Sequence, residues 1–403
     1  MTSLPEMSRP VSHPLATSAG REALATASAQ PDPDSLAAAT ALRAEFTPEL
    51  AAAALTQIGL RRAARAKLGE RADQLLFTRT GLEQASRAAV AAHHAARFVA
   101  AGARRVIDLG CGIGTDALAL LDAGLDVVAV EADPETAAVA QANLGDRAEV
   151  LLGDAVELAP ALLTPGTAAY ADPGRRGSAG RSWRVEDLSP PWSFVESLLA
   201  GDPLSAGDRV VGVKLGPALP HRLIPAGVEA EWIGDRGDTV EVGLWSGPGA
   251  LPDGRVALLL PQDRLVVDRA VPPLPVGTVG SVIYEPQGAV IRAGGVAQVG
   301  GDLQARLLHA EIAYLTADDL RTTPYATAFE VVEAHPFSEL GLRHWTRQHR
   351  IGTLEIKKRG IDLDPAVLRR RLKLRGTGSA TVIVTRTTDG AVFLVVRRVP
   401  APR

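Results

Sequence analysis

Three glycines at alternate positions, Gly110, Gly112 and Gly114, follow the short apolar run Val106-Ile107-Asp108-Leu109 and precede Asp116-Ala117-Leu118-Ala119-Leu120. A strand, a glycine turn and a helix in that order form the opening βα unit of a doubly wound sheet, and the turn is a ligand site. Glycine lets the backbone bend tightly and approach a bound group, while the helix start offers free N–H donors beside it. A dinucleotide fingerprint needs glycine at position 115, where Thr115 stands. Acidic residues recur at comparable points downstream. Leu125 to Val130 reads as a second apolar strand and ends in Glu131, 23 residues after Asp108, where a carboxylate can accept both hydroxyls of a ribose. A third strand, Ala148 to Leu152, runs into Gly153-Asp154-Ala155, and a fourth, Ala168 to Ala171, into Asp172-Pro173-Gly174-Arg175-Arg176.

The spacing Asp108-x-Gly110-x-Gly112-x-Gly114 resembles motif I of class I S-adenosylmethionine-dependent methyltransferases. The resemblance implies that Asp108 holds the methionine end of the cofactor and that Gly110, Cys111, Gly112 and Gly114 form its cradle. It also implies that Glu131 takes the ribose and that Asp154, with the backbone N–H of Ala155, reads the adenine. Asp172-Pro173 resembles motif IV of amino-methyltransferases, in which Asp, Asn or Ser before two prolines and an aromatic binds an exocyclic amine. Asp172 and Pro173 are therefore the expected catalytic pair. Gly174 replaces the second proline and Arg175 the aromatic, so Arg175 and Arg176 are candidates to hold a phosphate or carboxylate instead. Ser189-Pro190-Pro191-Trp192 matches the tetrapeptide more literally, but Arg184 to Leu188 is too polar for a central strand and the prolines read as a helix entry. Asp172 ranks first, with Trp192 as a candidate stacking residue.

The elements that must position these groups divide the chain into five expected parts. Residues 1–45, rich in Pro, Ser, Thr and Ala with few large apolar residues, read as a disordered tail. Residues 46–101 read as an N-terminal helical segment whose Glu83-Gln84-Ala85-Ser86 stretch is expected to touch the cofactor. Residues 102–249 carry the alternating strands and helices of a Rossmann-like, seven-stranded α/β sheet with a terminal hairpin. Residues 250–325 read as a linker and small β-rich region, with a helix from Val290 to Val296, and residues 326–403 as a separate small α/β domain.

Composition bounds the rest. The 403 residues allow two or three domains, and 46% hydrophobic with 22% charged content is that of an ordinary globular chain. A net charge of -3 excludes a global basic field, so any nucleic-acid contact must be a local patch. Lys357-Lys358-Arg359 and Arg369-Arg370-Arg371-x-Lys373-x-Arg375 supply such patches. Cys111, the single cysteine, excludes an internal disulfide and a cysteine zinc cluster and reads as a packing residue of the turn. His93 and His94 are adjacent and point to different helix faces, so no metal is expected. With no signal pattern at Met1-Thr2-Ser3-Leu4-Pro5-Glu6 and no apolar run of membrane-spanning length, no membrane partner and a cytoplasmic location are expected.

Together, Leu82 to Ser86, the motif I turn, Asp172 to Arg176 and Leu354-Glu355-Ile356-Lys357-Lys358-Arg359-Gly360 look like a bacterial class I methyltransferase family with a C-terminal THUMP-like domain. THUMP domains bind RNA, so the resemblance implies S-adenosylmethionine as cofactor, RNA as partner, and Lys357, Lys358 and Arg359 among the substrate contacts. A small anionic metabolite or a protein acceptor clamped by Arg175 and Arg176, and a non-catalytic RNA-binding protein with a vestigial cofactor site, are the alternatives. An NAD-linked dehydrogenase ranks last on the glycine spacing.

Overall fold

The computed structural model describes residues 8–175, 185–200 and 209–400, with the side chains of Arg175 and Val185 excepted. Arg176 lies outside the described residues. The chain divides into two compact units, Met1–Glu231 with Glu241–Gly254, and Trp232–Val240 with Arg255–Arg403.

The first unit opens with helices where a disordered tail is expected. Helices α1 (Ser18–Ser28) and α2 (Leu36–Glu45) are capped by Thr17 and Ser35, whose hydroxyls each accept a backbone N–H at 3.1 Å. Leu15, Ala23, Leu24, Ala27 and Leu42 enter the same core as the sheet. The expectation fails because alanine, the strongest helix former, packs closely without the bulky residues that signal a core in sequence. Gly20 marks that closeness: an added Cβ would meet the Pro14 carbonyl oxygen at 2.3 Å. Helices α3 (Pro48–Leu68), α4 (Arg79–Gln84) and α5 (Ala88–Ala100) follow.

The sheet comes next, in βα steps: β1 (Arg105–Leu109), α6 (Thr115–Asp122), β2 (Asp126–Glu131), α7 (Pro134–Leu144), β3 (Glu149–Leu152), α8 (Ala155–Leu162) and β4 (Thr167–Ala171). After α9 (Trp192–Leu199) come β5 (Val211–Leu215), β6 (Glu229–Asp235) and β7 (Asp238–Ser246). The strand order is β6-β7-β5-β4-β1-β2-β3, with β7 antiparallel to β5 and β5, β4, β1, β2 and β3 parallel. Val106, Ile107 and Leu109 are buried, as a central parallel strand covered on both faces requires. Arg236 and Gly237, both at positive φ, make the two-residue turn between β6 and β7.

In the second unit the tip of that hairpin, Trp232–Val240, joins β8 (Arg255–Leu259) and β9 (Asp263–Val266), which continue the sheet order beyond β6. A second sheet is built from β10 (Val282–Pro286), β11 (Arg306–His309), β12 (Ile312–Ala317), β13 (Ala326–Pro336), β14 (Ile351–Lys358), β15 (Gly378–Thr387) and β16 (Gly390–Arg398). Its order is β11-β12-β10-β13-β16-β15-β14, carrying helices α10 (Gly288–Ala293), α11 (Val296–Asp302), α12 (Glu339–Gln348) and α13 (Pro365–Leu372) in its connections. Strands on both sides of the boundary expected at residue 326 share this sheet. Strand β10 pairs with β13 along five registered positions, burying Ile283, Tyr284 and Phe329, so residues 282–317 complete the C-terminal sheet. The helix expected from Val290 to Val296 is two helices, because Gly294 at φ +86° ends the first.

Candidate functional site

Register assembles the cleft. Leu109 pairs with Val130 and with Ala171, Glu131 pairs with Leu152, and Ala171 pairs with Val213. Gly110, Asp172 and Gly153 therefore leave neighbouring parallel strands at one edge, level with Lys214 near the end of β5. That edge is where open α/β sheets bind ligands. The cleft there is lined by Asp108, Gly110, Cys111, Gly112, Glu131, Asp154, Ala155 and Asp172, together with Gln84, Asp116, Tyr170 and Pro190.

The glycine turn holds all three of its glycines in the left-handed region, at φ +98°, +56° and +84°. Side chains rarely adopt this conformation. An added Cβ on Gly112 would meet nothing within 4 Å, whereas one on Gly114 would press on Leu144 at 3.2 Å. Gly112 thus lies open beside the cleft, and Gly114 sits against Leu144 at the end of α7. The Gly112 N–H donates to Glu131 Oε2 at 3.0 Å, and the Asp133 N–H donates to Oε1 at 2.9 Å. Each oxygen keeps a lone pair for a ribose hydroxyl. Burial raises the Glu131 pKa against these backbone bonds. Asp154 caps α8, accepting the Val156 N–H at 2.7 Å, and remains exposed at the cleft rim beside Ala155.

Asp108 carries the strongest sign of a ligand site. It is fully buried, and among the described residues neither carboxylate oxygen has a hydrogen-bond partner. Burial, followed by the charges of Asp116, Asp172 and Glu131, pushes its pKa well above the ordinary value. A buried orphan acceptor is costly unless something binds it. An ammonium group satisfies it, so the site fits the amino acid end of S-adenosylmethionine at Asp108, with the ribose at Glu131 and the adenine at Asp154.

Below the cleft lies a polar network that sequence reading missed. His94 Nδ1 lies 2.9 Å from Asp116 Oδ1 and 3.2 Å from the Tyr170 hydroxyl, and Nε2 lies 2.7 Å from Glu241 Oε1. Ser86 donates to Asp116 Oδ2 at 2.8 Å. Burial works to lower the His94 pKa, but Glu241 and Asp116 outweigh it and raise the pKa to about 10. Asp116, opposed by burial, is held down to about 2 by the His94 hydrogen bond, the Lys214 charge and Ser86. Lys214 Nζ donates to Asp172 Oδ2 at 2.5 Å and to the Gln84 carbonyl at 3.0 Å. Burial raises the Asp172 pKa and Lys214 opposes it. The available signal was a lone charge inside each apolar run: His94 among alanines, Asp116 before Ala117-Leu118, Lys214 within Val211 to Leu215. His93 turns to the other face and meets Glu231 at 2.7 Å.

Other expected residues fall outside this cluster. Pro173 and Trp192 are buried, and Pro190 and Pro191 line the cleft in place of Trp192. In the second unit, Lys357 donates to Glu285 at 2.7 Å, while Arg359 donates to the Ala313 carbonyl and lies over the Tyr314 ring. Lys358 is exposed. Arg347, Arg350, Arg370, Lys373 and Arg375 are exposed and form no ion pair among the described residues, in contrast to Arg343 and Arg371, which meet Glu339. Among the described residues, no three or more His, Cys, Asp or Glu side chains are grouped to hold a metal ion, and no helix is long and apolar enough to cross a membrane.

The strand order, the terminal hairpin and a carboxylate-rimmed glycine cradle at the carboxyl edge define a class I S-adenosylmethionine-dependent methyltransferase. Comparison with known proteins agrees. Residues 107–163 match a methyltransferase domain family, residues 326–398 a THUMP domain-like family, and residues 11–64 a domain of unknown function. Uncharacterized S-adenosylmethionine-dependent methyltransferases of two Mycobacterium tuberculosis strains, CDC 1551 and H37Rv, are each 35% identical over 357 residues, covering 85% of this chain and 95% of theirs. The crystal structure of a candidate methyltransferase from Porphyromonas gingivalis W83 superposes with a TM-score of 0.74 at 25% identity, over 94% of this chain and 99% of that one. The chain belongs to the S-adenosylmethionine-dependent methyltransferases and carries a C-terminal THUMP-like domain.

Proposed function

We propose that this methyltransferase acts in the cytoplasm on structured RNA, receives the acceptor amine at Asp172, with the buried Pro173 fixing the backbone behind it, and holds the RNA with its THUMP-like domain. The observation that carries the acceptor assignment is Asp172 Oδ1: the carboxylate lines the cofactor cleft while, among the described residues, only Oδ2 is engaged, by Lys214. The exposed, unpaired Arg347, Arg350, Arg370, Lys373 and Arg375 support a phosphate-binding face on the THUMP-like domain. In this reading Lys358 joins that face, whereas Lys357 and Arg359 act through the packing of their own domain.

Bound S-adenosylmethionine supplies an electrophilic methyl group on a sulfonium. Asp108, Glu131 and Asp154 bind and orient it. Asp172 accepts one N–H of the acceptor amine and aims the nitrogen lone pair, so most of the acceleration comes from positioning. Because the Lys214 ammonium beside Asp172 favours its ionised form, the carboxylate is ready to hold the proton that the amine releases after transfer.

Asp172→Ala should bind the cofactor within a few-fold of the parent and lose transfer by roughly a hundredfold or more, as expected for loss of an orienting group. Calorimetry and a methyl-transfer assay read the two separately. A variant that turned over normally would remove Asp172 from the acceptor site.

A further inference from the structure

Part of the cleft wall comes from outside the sheet. Gly81, Gln84 and Ala85 reach it from α4 and the residues just after, a strap running from Thr78 to Ser86. A six-residue helix leaves most of its carbonyls without intrahelical partners, and its C-terminal end attracts positive charge. Two lysines answer that need. Lys67 of α3 donates to the carbonyls of Leu82, Glu83 and Ala85 at 2.8, 2.6 and 3.1 Å. Lys214 of β5 takes the remaining carbonyl in the run, that of Gln84, at 3.0 Å. Ser86 then ties the strap to Asp116.

Lys67 and Lys214 pin the same strap, yet among the described residues only Lys214 has a second partner. The Ala171–Val213 register brings Asp172 and Lys214 out side by side, and the ammonium donates to Asp172 Oδ2 at 2.5 Å. We propose that Lys214 is a positioning residue that couples the Thr78–Ser86 strap to the acceptor carboxylate: the ammonium that fixes the Gln84 carbonyl also holds Asp172 Oδ2 and leaves Oδ1 toward the cleft. Order in the strap that walls the cofactor cleft and order in the acceptor group then depend on one side chain. The inference rests on Asp172 being the acceptor group, and its test uses only cofactor-side readouts, so an acceptor other than RNA leaves it standing.

The test compares Lys67→Met, Lys214→Met and the double variant Lys214→Met with Asp172→Asn, all as full chains. Hydrogen exchange over residues 78–86 and the affinity for S-adenosylmethionine from about pH 6 to about pH 8 are the readouts. Both single variants should speed exchange in the strap. Lys214→Met alone should also make affinity pH-dependent. Asp172 would then face Asp108, Asp116, Glu241 and the Tyr170 ring without its ammonium. It would hold a proton more readily as pH falls, so the affinity for the cationic ligand should fall with pH by about threefold across that range, no more than the loss that Asp172→Ala allows. The double variant should keep the fast exchange and lose the pH dependence. If Lys214→Met does not fold, the double variant decides on exchange alone. Parental exchange in the strap of a folded Lys214 variant, or a Lys214→Met whose affinity is as flat with pH as that of Lys67→Met, would overturn the coupling.

Discussion

Asp108 and Asp116 flank the glycine turn, both buried, and the fold treats them in opposite ways. Asp116 accepts from His94 and Ser86, and its pKa is drawn down to about 2. Among the described residues Asp108 accepts from nothing, and its pKa is driven up. The difference separates scaffold from site. A buried charge that serves the fold is given its counter-charge within the fold, whereas Asp108, near the end of the central strand, has the surroundings expected of a ligand-binding carboxylate.

Removing the scaffold's counter-charge should have the largest effect. His94→Ala removes the imidazolium that bridges Asp116 and Glu241, leaving only the Lys214 charge to offset them, and should destabilise the protein by about 3–5 kcal/mol, measured by denaturant unfolding. The same pair sets a pH signature. The folded His94 pKa of about 10 lies above its ordinary 6.5, so its contribution is full below about pH 6.5 and is lost as pH rises toward 10. Unfolding free energy of the parent should therefore decline over that window, and His94→Gln should flatten the decline. An unchanged slope would mean that the imidazole is neutral in the fold.

The opposite sign is expected at Asp108. Its raised folded pKa means that a stability penalty develops as pH rises through the unfolded value near 3.8. Asp108→Asn should thus raise the stability of the cofactor-free protein by about 1–3 kcal/mol while weakening S-adenosylmethionine binding by roughly ten- to a hundredfold. Thermal unfolding with and without cofactor reads both effects, and a variant that lost stability would reverse the contrast with Asp116.

The two basic clusters of the THUMP-like domain make a smaller version of the same comparison. Replacing Arg370, Lys373 and Arg375 with alanine should leave folding unchanged within about 0.5 kcal/mol and lower the salt dependence of RNA binding by roughly one unit of log–log slope per residue. Lys357→Ala should instead cost about 1 kcal/mol of stability through Glu285, with little change in that slope. Equal effects on RNA from both clusters would show that charge alone, and not its freedom from internal partners, selects the face.

Much of this was legible in sequence. The Asp108-to-Gly114 spacing and the acidic strand ends at Glu131, Asp154 and Asp172 depend on local periodicity, and the register of parallel strands brings them to one edge. What could not be read depended on distant pairing. Lys357 and Arg359 read as free charges because Glu285 and Tyr314, more than forty residues away, are their partners. Strand β10 read as part of a linker because its partner β13 begins some forty residues later. The N-terminal helices were hidden by alanine, which packs closely and scores poorly as core.

RNA as the acceptor is tested most directly by incubating the purified protein with methyl-labelled S-adenosylmethionine and total RNA from a strain lacking the gene, beside RNA from its parent. Label should enter the RNA of the deletion strain and be nearly absent from that of the parent, whose sites are already filled. Confirmed cofactor binding with no label in either RNA would contradict an RNA acceptor.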